Sequence, residues 1–392
     1  MDFDLSPEDV AFREELRGWL AEHTPPDIDV AATFDEAEKL RDWQRTLHDG
    51  RWVGIHWPEE YGGRGASLLQ VAIYNAELAR ARAPQILGRA GVNLVGPTLI
   101  SHGTEEQRQR WLPKILSAEE IWCQLFSEPG AGSDLAGLST KAEKRNGTYY
   151  VSGQKVWTSY ARFADFGIGL VRTDATAPKH KGISMLAIPI KAGGIDIRPL
   201  RQITGESEFN EVFFDDVQVP VENLIGTEND GWRVAGTTLA NERGTSFVWK
   251  EQVLHEVARD LLWKRAIERG DAANPLVRQK LAQSWMDVEI FRLHNGRTLS
   301  RLARGEQIGP ESSIVKLFWT EMSQRLYENA GAILGWDGLV MPEDETAVDR
   351  GRWARGMLWS RAASIAGGTS EIQRNIIAER ILGLPREPKG TA

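Results

Sequence analysis

Residues 365–374 read Ile365-Ala366-Gly367-Gly368-Thr369-Ser370-Glu371-Ile372-Gln373-Arg374. Paired glycines open backbone conformations that other residues resist, and the Thr369-Ser370 pair is a helix N-cap signal. Ile372, Ile376 and Ile381 follow along the expected helix, and Gly383 with Pro385 just beyond ends it. A helix that opens in this way has free N–H groups at its head, which can meet an anion or a carbonyl oxygen. Taken alone, it is equally an ordinary glycine-led helix start.

Upstream, the pattern is helical from about Gly231, with Val253, Val257 and Leu261 as one stripe and Leu281, Trp285 and Val288 as another. The first third is helical too. Ser6-Pro7-Glu8-Asp9 is a helix start, followed by Phe12, Leu16, Trp19 and Leu20 on one face, and Thr104-Glu105-Glu106-Gln107 fits a capping box. Trp57-Pro58-Glu59-Glu60-Tyr61-Gly62-Gly63 reads as a loop. In between, Asn146-Gly147 marks a hairpin, and 166–171, 183–190, 195–200 and 208–217 read as strands. The order helices, strands, helices predicts an α+β chain with domains over 1–120, 121–230 and 231–392.

At 392 residues, with 41% hydrophobic and 26% charged residues, the chain suits a multi-core globular protein. A formal net charge of −8 argues against a nucleic-acid or anionic-membrane surface. The single cysteine, Cys123, excludes an internal disulfide framework and suits a reducing, cytoplasmic location, as does the acidic N-terminal stretch. No apolar run is long enough to span a bilayer. The seven histidines show no metal-ligand spacing, so no metal is expected. There is no Walker A loop, dinucleotide fingerprint or nucleophile elbow.

Two further stretches carry chemistry. In Cys123-Gln124-Leu125-Phe126-Ser127-Glu128-Pro129-Gly130-Ala131-Gly132-Ser133-Asp134, glycines allow close backbone approach and two serines offer hydroxyls, which suits a flavin edge or a pyrophosphate. The plainer reading is a tight polar loop capped by its own acids. In Gly153-Gln154-Lys155-Val156-Trp157-Thr158-Ser159, a strand ends with an indole and two hydroxyls, able to wall and hydrogen-bond a planar heterocycle. A buried tryptophan in a β core is the plainer alternative.

In this order and at this separation, the three motifs resemble those of acyl-CoA dehydrogenases. The resemblance runs over nearly the whole chain, through Gly103-Thr104-Glu105-Glu106-Gln107, Trp111-Leu112-Pro113, 209–217 and Gly383-Leu384-Pro385. It implies an N-terminal helical domain, a middle β-barrel-like domain and a C-terminal four-helix bundle, with non-covalent FAD. By matching positions, Leu125, Ser127, Gly132 and Ser133 contact flavin or its phosphates. Trp157 flanks the isoalloxazine, with Thr158 beside it and Ser159 near N5. Thr369 and Glu371 contact FAD of the same or a neighbouring subunit, and Ser133 and Arg243 meet the CoA thioester. The implied reaction removes an α proton while a β hydride passes to the flavin, and electrons go on to an electron-transfer flavoprotein.

The chain departs from the family where many members place a catalytic glutamate, just before the Gly-Thr pair. That position is Gly367, preceded by Ala366 rather than an aromatic residue. The backbone N–H at Gly367 can still polarise the thioester carbonyl, but the base must lie elsewhere. A minority of the family carries its base on a bundle helix, and the matching residue is Glu242. The alternative for Glu242 is a surface ion pair with Arg243, with a contribution of about 0.5 kcal/mol or less. Glu128, Asp134, Glu371 and His255 read as structural or cofactor contacts. The lost bulk at 366 and 367 predicts room for a branched, cyclic or polycyclic acyl group. Departures at 270–275, Ala332 and Trp336 fit a divergent homo- or hetero-tetramer. Two other readings keep the fold: a base-less structural subunit, and a flavin oxidase or monooxygenase. A non-flavin binding protein is the remaining one.

Overall fold

The computed structural model describes residues 5–28, 30–242, 246–304, 306 and 309–386. Helices α1 (Pro7–Glu22), α2 (Phe34–Asp49), α3 (Leu68–Arg80), α4 (Gly96–His102) and α5 (Glu105–Leu116) precede eight strands. These are β1 (Trp122–Leu125), β2 (Lys141–Arg145), β3 (Thr148–Ser159), β4 (Phe166–Arg172), β5 (Ile183–Pro189), β6 (Ile195–Pro199), β7 (Phe209–Pro220) and β8 (Leu224–Ile225). Helices α6 (Gly231–Glu242), α7 (Ser246–Glu268), α8 (Pro275–Ala303), α9 (Ser312–Leu334), α10 (Arg352–Ala363) and α11 (Ser370–Ile376) follow. The chain is α+β, with helical segments before and after the sheet strands in chain order. Among the described residues, no helix is long and apolar enough to cross a membrane.

Two compact units are present. One takes Glu15–Ser67 and Ala81–Gly244; the other takes Met1–Glu14, Leu68–Arg80 and Thr245–Ala392.

The first unit holds the sheet, ordered β6-β7-β3-β2-β4-β5-β8, with β1 parallel to β4. The β2–β3 hairpin turns through Asn146 (φ 48°) and Gly147 (φ 79°), the two positive-φ positions that such a two-residue turn requires. Tyr149, Val151, Leu186, Ile188, Val212 and Val217 form much of its core. The helix signals act as expected: Thr104 and Gln107 cap α5 reciprocally, and Thr33 with Glu36 forms a second capping box on α2 that the sequence reading passed over. In the 57–63 loop, Trp57 is buried, and its indole N–H donates to the Val92 carbonyl at 2.9 Å. Its ring explains Gly96, where an added Cβ would lie 1.9 Å from the indole.

The second unit packs α7, α8, α9 and α10 around Ala258, Leu262, Leu281, Val288, Phe291 and Leu326, with α3 against α7. Here two expected stripes are corrected. On α7, Val253 is buried as expected, and the buried face continues through His255, Ala258, Leu262 and Ala266, while Val257 and Leu261 are only half-buried. On α8, Leu281 and Val288 are buried but Trp285 is 48% exposed; Ser284 takes the inward place. Both errors are phase errors. Among the inward positions, His255, Ala258, Ala266 and Ser284 are small or polar, and a hydrophobicity pattern does not mark them.

Candidate functional site

The first unit carries a loop clamped to a strand. Residues 126–140 leave β1 and turn back through paired Glu128–Ala131 backbone bonds of 3.1 and 3.0 Å. The Ser127 carbonyl accepts the Val156 N–H of β3 at 2.9 Å, so this loop lies directly beside the residues before Trp157. Glu128 fixes it. One carboxylate oxygen accepts Lys155 Nζ at 2.8 Å and the Thr140 N–H at 2.9 Å; the other accepts the Ser139 N–H at 2.7 Å and its hydroxyl at 2.8 Å. Lys155 also donates to the Phe126 carbonyl at 3.0 Å. Burial opposes both charges. The ion pair and hydrogen bonds nonetheless hold the Glu128 pKa down, while burial outweighs Glu128 and lowers that of Lys155. Glu128 is therefore structural. Asp134 pairs with Lys179.

This clamp presents Gly130, Gly132 and Ser133 to solvent, and added Cβ atoms at both glycines would meet nothing within 4 Å. Ser127 and Ser159 are half-buried. Leu125 and Thr158 are wholly buried, and the Thr158 hydroxyl has no hydrogen-bond partner among the described residues. The register of β3 against β7 breaks between Lys155 and Thr158, a β-bulge. Trp157 sits in that bulge at φ 60°, left-handed backbone that a bulky residue adopts at a cost. Its indole is 60% exposed, edge-on to Phe209 at 5.9 Å. The buried-core alternative for Trp157 is excluded. Asn210, fully buried, donates to the Thr158 carbonyl at 2.9 Å and so pins the strand beyond the bulge.

Helix α6, also in this unit, is tied to α4. Thr98 and Thr238 hydroxyls meet at 2.8 Å, and His102 Nε2 meets the Thr237 hydroxyl at 2.7 Å. Positions 231, 235 and 238 are buried, and the helix runs to position 242. The Glu242 side chain and Arg243 lie outside the described residues.

In the second unit, the 365–374 stretch folds as its glycines require: Gly367 has φ 63° and Gly368 φ 94°. Among the described residues, an added Cβ at Gly367 would meet nothing within 4 Å. Thr369 is the N-cap of α11, its hydroxyl accepting the Ile372 N–H at 3.3 Å. Glu371 is exposed in the first turn, its carboxyl held below its usual range by the helix-end N–H and the Thr369 hydroxyl. The buried α11 residues are Ser370 and Gln373; Ile372 and Ile376 are half-buried. His255 is packed, as expected: its ring nitrogens meet the Glu251 carbonyl at 2.6 Å and the Ser323 hydroxyl at 2.9 Å.

Sequence reasoning missed Lys155, Asn210, Gln373 and Lys316. Lys155 had a signal, since it occupies an inward strand position within a quoted motif and an unpaired acid stood in the other motif. Lys316, between Val315 and Leu317 on α9, had none.

The acyl-CoA dehydrogenase N-terminal domain family matches residues 6–119, the middle domain family 123–217 and the C-terminal domain family 229–382. The acyl-CoA dehydrogenase IpdE1 of Mycobacterium tuberculosis is 41% identical over 388 residues, covering 97% of this chain and 98% of that protein. Among solved structures, the Tcur3481-Tcur3483 steroid ACAD is 31% identical with a TM-score of 0.88, covering 99% of this chain and 100% of that one. The ChsE4-ChsE5 complex of Mycobacterium tuberculosis is 30% identical with a TM-score of 0.84, with the same coverage of 99% and 100%. The chain belongs to the acyl-CoA dehydrogenases, oxidoreductases that act on acyl-CoA. Members of the family depend on FAD.

Proposed function

We propose that this chain desaturates the 2,3 bond of a bulky acyl-CoA thioester, with Glu242 as general base and the Gly367 N–H as a donor to the thioester oxygen. The carrying observation is the Gly367–Gly368 turn at the head of α11. It keeps a backbone donor where many family members add an acid, and it leaves the space beside that donor open. The α proton of a thioester is weakly acidic, so a carboxylate must take it from within hydrogen-bond reach. The developing enolate oxygen is stabilised by N–H groups already oriented toward it. Position 242 ends a helix whose phase is fixed by two side-chain ties, which suits a base that must be aimed.

The residues present fit FAD. Gly130, Gly132 and Ser133 form an exposed loop with no side chain blocking backbone approach, and Trp157 holds an exposed indole in strained backbone beside it. Ser127, Gly132 and Ser133 would hold the cofactor's polar groups, with Trp157 and Ser159 along its ring; Leu125 and Thr158, buried by their side chains, would act through backbone. Thr369 and Glu371 are proposed as further FAD contacts, and Ser133 and Arg243 as CoA contacts. When bound, FAD supplies the hydride acceptor. A polycyclic acyl group is favoured by the missing bulk at Ala366 and Gly367 and by the word steroid in one structural relative's name.

The acceptor in turn is proposed to be an electron-transfer flavoprotein, in the cytoplasm. One structural relative is named as a complex, ChsE4-ChsE5, and the name of the other joins two designations, Tcur3481 and Tcur3483. On α8, Trp285, Met286, Ile290 and Leu293 are each 40% exposed or more, an apolar stripe that supports assembly into a homo- or hetero-tetramer.

The test is anaerobic reduction of the purified flavoprotein by a panel of CoA thioesters. Bleaching by polycyclic thioesters, lost in Glu242→Gln, is expected. Reduction of Glu242→Gln at the parent rate would remove Glu242 as base, and a preference for butyryl-CoA or octanoyl-CoA would remove the bulky pocket. A colourless chain that turns yellow and active only beside a second dehydrogenase chain would favour the structural-subunit reading. Peroxide release in air would favour an oxidase.

A further inference from the structure

The turn from Ser364 to Thr369 has little side-chain anchorage of its own. Gly367 and Gly368 have none, and glycines are the residues with most conformational freedom to lose. The backbone supplies a few ties: the Ala366 N–H donates to the Ala362 carbonyl at 2.9 Å, and the Ser370 N–H to the Ser364 carbonyl at 3.0 Å. What fixes the glycine peptides comes from outside the turn. Lys316, on α9, donates to the Ala363 carbonyl at 2.9 Å and to the Gly368 carbonyl at 2.7 Å. One ammonium thus bridges the end of α10 and the residue before the α11 cap. Gln373 adds its amide N–H to the Gly367 and Gly368 carbonyls, each at 3.2 Å.

We infer that Lys316 is a positioning residue: it holds the Gly367–Gly368 turn in the one geometry that aims the Gly367 N–H at the substrate oxygen. The inference rests on the proposed role of that N–H, and Lys316 itself touches no reacting atom. An ammonium suits the place. It has three donors for two carbonyls, and a cation at the end of α10 complements the helix dipole. Half-burial lowers the Lys316 pKa to about 8 against the pull of Glu371, while the Ala363 and Gly368 carbonyls accept two of its N–H groups. A methionine of similar length would pack in the same space but leave both carbonyls without their donor.

Two measurements on the holoenzyme test this. In Lys316→Met, hydrogen exchange at the Ala366 and Ser370 amides is expected to rise about tenfold or more while α9 is unchanged. Flavin reduction by a saturating acyl-CoA is expected to fall by about tenfold or more, as when an aimed oxyanion donor is lost. Lys316→Ala should regain part of that rate with added ethylammonium, which a purely structural loss would not. Unchanged exchange at both amides overturns the inference, as does a reduction rate within about twofold of the parent. If Lys316→Met does not fold, Lys316→Gln is measured instead, with the same two outcomes. A parent protein that no acyl-CoA reduces defeats the proposed function instead, and the exchange arm still decides whether Lys316 holds the turn.

Discussion

Glu128 and Lys155 meet at 2.8 Å with side chains only 4% and 1% exposed, and this pair joins the 126–140 loop to β3 two residues before Trp157. Both oxygens of the carboxylate are occupied, and the ammonium has a second acceptor. A buried pair of this kind adds little net stability over an apolar substitute, but each half is costly without the other.

Lys155→Met is therefore expected to lower unfolding stability by about 3–5 kcal/mol, because Glu128 is left charged and buried. Glu128→Leu combined with Lys155→Met should recover a large part of that loss. Chemical denaturation of the parent and both variants gives the comparison. A single variant within about 1 kcal/mol of the parent would show that the pair does not hold the loop.

Trp157 is kept against local backbone preference, so its replacement separates function from stability. Trp157→Gly relieves left-handed strain of about 1–2 kcal/mol and loses an aromatic pair with Phe209 of about 0.5–1.5 kcal/mol. The two oppose, and the expected change in unfolding stability of the cofactor-free protein is under about 1 kcal/mol. Flavin retention through gel filtration should nevertheless drop sharply. Full retention of yellow colour would mean that Trp157 is not the flavin wall.

His255 predicts a pH dependence. Burial lowers its pKa to about 4, with the Glu251 carbonyl only partly offsetting this. Above about pH 6.5 the imidazole is neutral in both folded and unfolded chains. Between there and about pH 4 the unfolded chain takes up a proton that the folded chain refuses. The unfolded state binds more protons in that window, so stability falls as pH falls through it, by up to about 3 kcal/mol from this group. The slope of unfolding free energy between pH 4 and 6.5 should flatten in His255→Gln relative to the parent. Identical slopes would assign the acid sensitivity to other groups.

Much of this architecture is legible in the sequence because the signals are local. Ser6-Pro7, Thr104 with Gln107, Asn146-Gly147 and Thr369 each fix a boundary through a hydrogen bond or a φ value within a few residues. The phase of α7 and α8 was misread because His255 and Ser284 turn inward, and their reasons for burial lie on neighbouring helices. Lys155 pairs with a residue 27 positions away and Lys316 with carbonyls 47 and 52 away, separations no local pattern encodes. The exposure of Trp157 was hidden for a different reason: the bulge that turns it outward is a register shift between β3 and β7, which shows only when the strands are paired.

Gly367 offers the most direct experiment on the vacancy in the family motif. Its φ of 63° disfavours any side chain, yet a Cβ there would touch nothing within 4 Å among the described residues. Gly367→Ala is thus expected to cost only the left-handed backbone term, about 1–2 kcal/mol, without a packing penalty. Gly367→Glu should cost a similar amount while placing a carboxylate at the position many family members use. On a Glu242→Gln background, Gly367→Glu is expected to restore part of the flavin reduction by small thioesters and little of that by polycyclic ones, since the new side chain fills the space the bulky acyl group would take. Rates are read by anaerobic stopped flow as loss of the flavin's visible absorbance. Equal restoration for small and polycyclic thioesters would show that the open space beside Gly367 does not select the acyl group.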